Sequence, residues 1–214
     1  MSIVERFPST RPAMDRLACS GLDMLGVGFA VIGVGGRVLM ANQTCRSILS
    51  GAGRGLAWRG DALRARRRRD MRALDTALAS AFTGGRSLLR VEDVAGDGAL
   101  ELLAAGMEVS PGAAPCAAAV IREPETAWPG ADSLAQLYEL TPAEAGLTET
   151  LVRGVGLAAA CEARGISVNT GKGYLKRIFE KTGVRRQSEL VAMVMQGVAP
   201  FSARAEAEAL GRTA

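Results

Sequence analysis

The chain has 214 residues, 48% of them apolar, which suits two domains of about 125 and 80 residues, each with its own core. There is no histidine, and the four cysteines (Cys19, Cys45, Cys116, Cys161) show no paired spacing, so histidine-ligated haem, zinc ligation, a disulfide framework and Cys-His catalysis all lack their partners. Net charge is only +4, the longest apolar run (Met24 to Gly36) is broken by glycine, and the N-terminus has charges instead of an apolar signal core, so the expectation is a cytoplasmic protein without a membrane partner, metal or cofactor.

A helix-like segment runs from about Pro12 to Met24. The β-rich runs Val27–Ile32 and Arg37–Ala41 follow, joined by Gly33-Val34-Gly35-Gly36 as a hairpin. Asn42 suits a helix cap before Cys45 to Leu49. A second hairpin spans Leu56 to Arg66, where Leu63 and Ala65 alternate with Arg64 and Arg66 in the manner of an edge strand with outward charges. A helix at about Asp70 to Phe82 and strands near Ser87–Val94, Ala99–Ser110 and Cys116–Arg122 complete this half.

Two strands, short helices and three strands, with Gly36-Arg37-Val38-Leu39-Met40-Ala41-Asn42 between the second strand and the next helix, resemble a PAS-like domain. The resemblance implies an antiparallel sheet with helices over residues 1–125, serving as ligand sensor, dimerisation surface or both. Phe29, Leu39, Leu102 and Val120 are the candidate inward residues for a small apolar or aromatic ligand, which the sequence does not name. Asn42-Gln43-Thr44-Cys45-Arg46 is only superficially similar to a flavin photosensor's cysteine motif, and Cys45 sits too early for that role. The run Arg66-Arg67-Arg68-Arg69, with Arg64 and Arg72, reads as a solvated loop and helix entrance partly balanced by Asp61, Asp70 and Asp75, with a second nucleic-acid contact or a docking surface for acidic segments as the alternatives.

Glu123-Pro124-Glu125 through Ala131 has linker chemistry, placed at residues 126–131. A helix restarts at Asp132 or Ser133 with Leu134, Leu137 and Tyr138 on one face. Leu140-Thr141-Pro142-Ala143-Glu144 is a capping box with proline at the first helical position. Gly156 to Arg164 is short and alanine-rich, Gly165 supplies a tight turn, and a helix from Val168 to Lys181 follows. On that helix Asn169, Lys172, Gly173 and Lys176 share one sector, with Leu175, Ile178 and Thr182 roughly opposite. Seven Lys or Arg stand against one acid, Glu180, between Arg164 and Arg186, a concentration suited to phosphate. The glycines around Lys172 do not form a nucleotide loop, because their spacing is wrong and no Ser or Thr follows the lysine.

From about Leu140 to Val194 these signals resemble the LuxR-type (GerE-like) helix-turn-helix family. The resemblance implies an all-α four-helix domain over residues 132–214, and an α+β chain overall. It implies that the Val168–Lys181 helix enters the major groove of double-stranded DNA, with Thr170, Lys172 and Lys176 facing it. Asn169 is the candidate base contact, Asn being suited to pair with adenine, and Arg177, Lys181, Arg185 and Arg186 the candidates for phosphate. The last helix, about Arg186 to Val198, would give a homodimer contact through Leu190, Val191, Val194 and Met195. Three features depart from the family: Gly171 and Gly173 inside the recognition helix, at about 1 kcal/mol each relative to alanine, Thr182 at a commonly apolar position, and Gly146 where Glu is usual.

The expected function is therefore sequence-specific transcription regulation, controlled by the PAS-like domain through ligand or dimer geometry, with no enzymatic activity. The alternative is an interaction protein, an anti-regulator whose helix-turn-helix domain has lost DNA binding through Gly171 and Gly173. No nucleophile has a base or orienting group at a defensible spacing.

Overall fold

In a computed structural model, which describes residues 11–96, 98–108, 113–123 and 128–201, the chain is α+β. It separates into two compact units, residues 1–125 and 126–214. The first contains α1 (Arg11–Met24), β1 (Gly28–Ile32), β2 (Val38–Ala41), α2 (Gln43–Ser50), β3 (Leu56–Arg59), β4 (Ala62–Ala65), α3 (Arg68–Phe82), β5 (Arg86–Glu92), β6 (Ala99–Met107) and β7 (Cys116–Arg122). Ser110, the expected end of the sixth strand, lies outside the described residues, as do 124–127 of the linker.

Five strands form an antiparallel sheet in the order β2-β1-β7-β6-β5, and β3 pairs with β4 as a separate hairpin. Strand residues alternate between faces. The inward set is Ala30, Ile32, Leu100, Leu102, Ala104, Ala117, Ala119 and Ile121, in one buried cluster with Leu56, Leu63, Leu74 and Leu78. The opposite face carries a registered row, Phe29 beside Val120, Val120 beside Leu103, and Leu103 beside Leu88. Phe29 and Val120 are only half-buried, and Leu39 is 59% exposed.

Of the four pocket residues expected from sequence, only Leu102 therefore points into the core. The other three are apolar, but period-2 alternation beside the inward Ala30 and Ala119 puts Phe29 and Val120 on the far face. Residue type alone does not reveal this when both faces of a strand are apolar.

Asn42 organises the start of the sheet. Its Oδ1 accepts from the backbone N–H groups of Cys45 (2.9 Å) and Phe29 (2.8 Å), while its Nδ2 donates to the Val27 carbonyl (2.7 Å). One side chain thus caps α2 and ties it to β1. Asp23 adds a carboxylate at the same helix end, accepting from Thr44 N–H at 2.7 Å.

The second unit is helical: α4 (Ala131–Tyr138), α5 (Pro142–Val152), α6 (Leu157–Ala163), α7 (Val168–Thr182) and α8 (Gln187–Gln196). Its core joins Leu134, Leu140, Leu147, Leu151, Ala160, Ile178, Leu190 and Val194. Gly130 occupies the cap position of α4, not Asp132 or Ser133, and no side chain closes that end. On this helix Leu134 is fully buried but Leu137 is 44% exposed. The Thr141–Glu144 capping box is complete in both directions, with Pro142 at the first turn of α5.

Candidate nucleic-acid interface

The turn into α7 is built by Gly165, whose φ of 64° is left-handed, and by Ile166 N–H donating to the Cys161 carbonyl at 3.0 Å. Ser167 then caps α7, accepting from Thr170 N–H at 3.1 Å, and its hydroxyl lies 2.8 Å from that of Thr170. The helix ends at Gly183, left-handed at φ 74°, whose N–H donates to the Phe179 carbonyl at 2.9 Å. Both ends are defined by the residue types that such ends require.

Between those ends α7 has two faces. Gly171 and Ile178 are buried, and Leu175, Phe179 and Tyr174 are partly buried against the core. Asn169, Thr170, Lys172, Gly173, Lys176 and Arg177 are exposed. Lys176 lies 3.9 Å from Glu180 in an exposed i,i+4 pair, which contributes little. No salt bridge among the described residues engages Lys172, Arg177, Arg185 or Arg186, and all four are exposed. Thr170 is on the same side, but its hydroxyl is shared with the Ser167 cap.

Lys181 is placed differently from the phosphate contact expected of it. Its Nζ donates to Glu144 Oε2 and to the Glu139 carbonyl, both at 2.8 Å. Glu139 is the one described non-glycine residue with positive φ, 52°, a turn that presents its carbonyl to the ammonium. Burial opposes charge on Glu144, but Lys181 and the hydrogen bonds with Thr141 outweigh it and hold the carboxyl below its ordinary value. Lys181 thus anchors the C-terminal end of α7 to the capped start of α5. Neither the capping box nor the charge count reveals this, because the partners are 37 residues apart.

The glycine departures divide in the same way. Gly171 packs against α6, and a methyl group there would overlap the Cys161 sulfur. Cys161 fills the space that a larger residue at 171 would occupy, so this glycine is a packing partner, not a flaw. Gly173 meets nothing within 4 Å. At Gly146 the Arg164 guanidinium covers the place of a Cβ. Thr182 is partly buried and donates to the Ile178 carbonyl at 2.7 Å, an i−4 bond that satisfies its hydroxyl.

The expected partner-facing stripe on α8 is corrected by the core. Leu190 and Val194 are fully buried inside the unit itself, leaving Val191 half-buried and Met195 40% exposed. Apolar spacing identifies a face that needs cover, but here α5 and the rest of the same unit supply it.

In the first unit most of the arginine run is internally engaged. Arg66 donates to the Arg54 carbonyl, Arg67 to Glu92 and to the carbonyls of Asp93 and Val94, and Arg69 to Asp70 and Glu92. Arg64 donates to the Gly35 carbonyl, while Arg54 bridges Asp93 and Glu123. The acidic partners of the run are thus Glu92 and Asp70, the latter the only one of the expected aspartates it uses; the Asp93 carboxylate pairs with Arg54 and Asp61 with Arg37. Cys45 is buried, and desolvation pushes its thiol up to about 12, the state of an inert core thiol. Among the described residues no cluster of His, Cys, Asp and Glu could hold a metal, and no helix is long and apolar enough to cross a membrane.

No family model and no curated protein matches the chain. Among solved structures it is similar to a phage VqmA–DPO complex (14% identity, TM-score 0.39, 88% of this chain and 91% of that one). A Vibrio cholera VqmA–ligand–DNA complex is comparable, at 15% identity, a TM-score of 0.38 and coverage of 87% and 90%. A Rhodobacter sphaeroides LOV protein aligns over 96% of this chain and all of its own length, at 12% identity and a TM-score of 0.37.

Proposed function

We propose that the protein is a DNA-binding regulator whose second unit holds duplex DNA through the exposed face of α7, and that the first unit controls this as a PAS-like sensor or dimerisation domain. The carrying observation is the segregation of α7: Asn169, Lys172, Lys176 and Arg177 in solvent, Gly171 and Ile178 in the core. A helix anchored on one side and cationic on the other suits a major groove bounded by phosphates. Arg185 and Arg186, just beyond the helix, extend the positive surface. In a homodimer two such helices would read half-sites about one DNA turn apart, and the second contact would be intramolecular.

The test is a titration of duplex DNA at several salt concentrations with the native protein and with Lys172→Ala/Lys176→Ala. If both lysines neutralise phosphates, the double variant loses affinity and its log K against log salt slope flattens by about 1.8, from about 0.9 per phosphate. An unchanged slope and affinity remove the assignment.

A further inference from the structure

Beside the exposed face of α7 runs a groove of about 630 Å³, open to solvent, between this helix and the Gly183–Arg185 segment that follows it. Its floor is apolar, from Leu175, Phe179 and Val184, each only partly buried against the core. Its rim is basic, from Lys172, Lys176 and Arg185, with Glu180 as the single acid. The helical members stand at i, i+3, i+4, i+7 and i+8, so the groove follows one side of α7 for two turns.

Duplex DNA explains the lysines but not the floor. Its major groove offers phosphates and polar base edges, with the thymine methyl as the apolar group among its base edges, and supplies no continuous apolar surface for three adjoining hydrocarbon side chains. A free amphipathic helix with the opposite charge pattern matches both parts: apolar anchors at i, i+3, i+4 and i+7 meet the floor, and flanking carboxylates meet the rim. We infer that this groove is a docking site for an acidic amphipathic helix of a protein partner, and that the partner, by covering Lys172 and Lys176, competes with any duplex for the same face. The docking itself goes beyond DNA binding and does not depend on it.

The probe is a fluorescein-labelled synthetic peptide with leucine at those four spacings and glutamate at most other positions, titrated by anisotropy into the full-length protein in the absence of DNA. Two controls accompany it: the same peptide with every leucine replaced by serine, and the protein variant Val184→Asp, checked for native circular dichroism. The expected results are saturable binding, at least a tenfold loss for the serine peptide, and a similar loss for Val184→Asp. Equal binding of the two peptides shows attraction by charge alone and overturns the proposal, as does absence of binding by the leucine peptide. Should Val184→Asp fail to fold, the peptide pair still decides. A protein that binds the leucine peptide but no duplex would retain the docking site and lose the DNA reading, so the two failures are separable.

Discussion

At the scale of single residues, Gly171 and Gly173 look alike in the sequence but oppose each other in the structure. At Gly173 a methyl group meets open space, so Gly173→Ala gains helix propensity and stabilises the protein by up to about 1 kcal/mol. At Gly171 the same change drives a methyl group into the Cys161 sulfur and costs about 1–3 kcal/mol, as overpacking does. Cys161→Ala/Gly171→Ala should recover much of that loss, because the two sites share one space. Urea unfolding of these variants and of Cys161→Ala alone measures this, and additive effects of the two single changes at 161 and 171 would show that α6 and α7 do not press together there. The pair also shows a limit of sequence reading: a glycine inside a helix announces a departure, but only the facing helix says whether the space is taken.

At the scale of elements, the attitude of α7 is set at its C-terminal end by Lys181, Glu144 and Glu139. The Glu144 carboxyl titrates below its ordinary value when folded, so its contribution to stability is present above the unfolded value and is lost as pH falls through the folded one. Lys181→Met leaves a buried carboxylate without its cation. The cost at neutral pH is roughly 3 kcal/mol, the low end for a broken buried pair, since the Lys181 side chain is 35% exposed and its pairing is partly screened. Burial is then opposed only by the Thr141 hydrogen bonds, so the Glu144 titration point rises above its native position, and on acidification from neutrality towards the ordinary carboxylate range the variant should lose less stability than the native protein. Thermal unfolding across pH 4–7 checks the sign, and parallel curves would exclude this ion pair as the anchor. Local chemistry made two helix starts legible, through Asn42 and Thr141, each a residue type whose cap is decided within four positions; Ser167 and Gly183 obey the same local rule. The long-range uses of Lys181, Leu190 and Val194 were not legible, because charge and hydropathy say what a side chain needs and not which neighbour provides it.

For the whole molecule, the two cores have separate memberships, one around the sheet and one among the five helices. Which apolar face of the sheet turns inward was not readable in the sequence, since Phe29, Leu103 and Val120 are as apolar as Ile32, Leu102 and Ile121 on the other side. Leu102 and Leu147 are each almost wholly buried, in the first and second core respectively. Truncation of either to alanine removes about 2–5 kcal/mol, which for a unit of this size lowers its transition by at least about 8 °C. If the units unfold independently, calorimetry of the full chain resolves two transitions, Leu102→Ala lowering one and Leu147→Ala the other, with the double variant additive. Under the function proposed above, a signal at the first unit would then have to act on an already folded second unit. If either substitution instead moves both transitions together, the units fold as one cooperative body, and the proposed control would be exerted through the stability of the second unit.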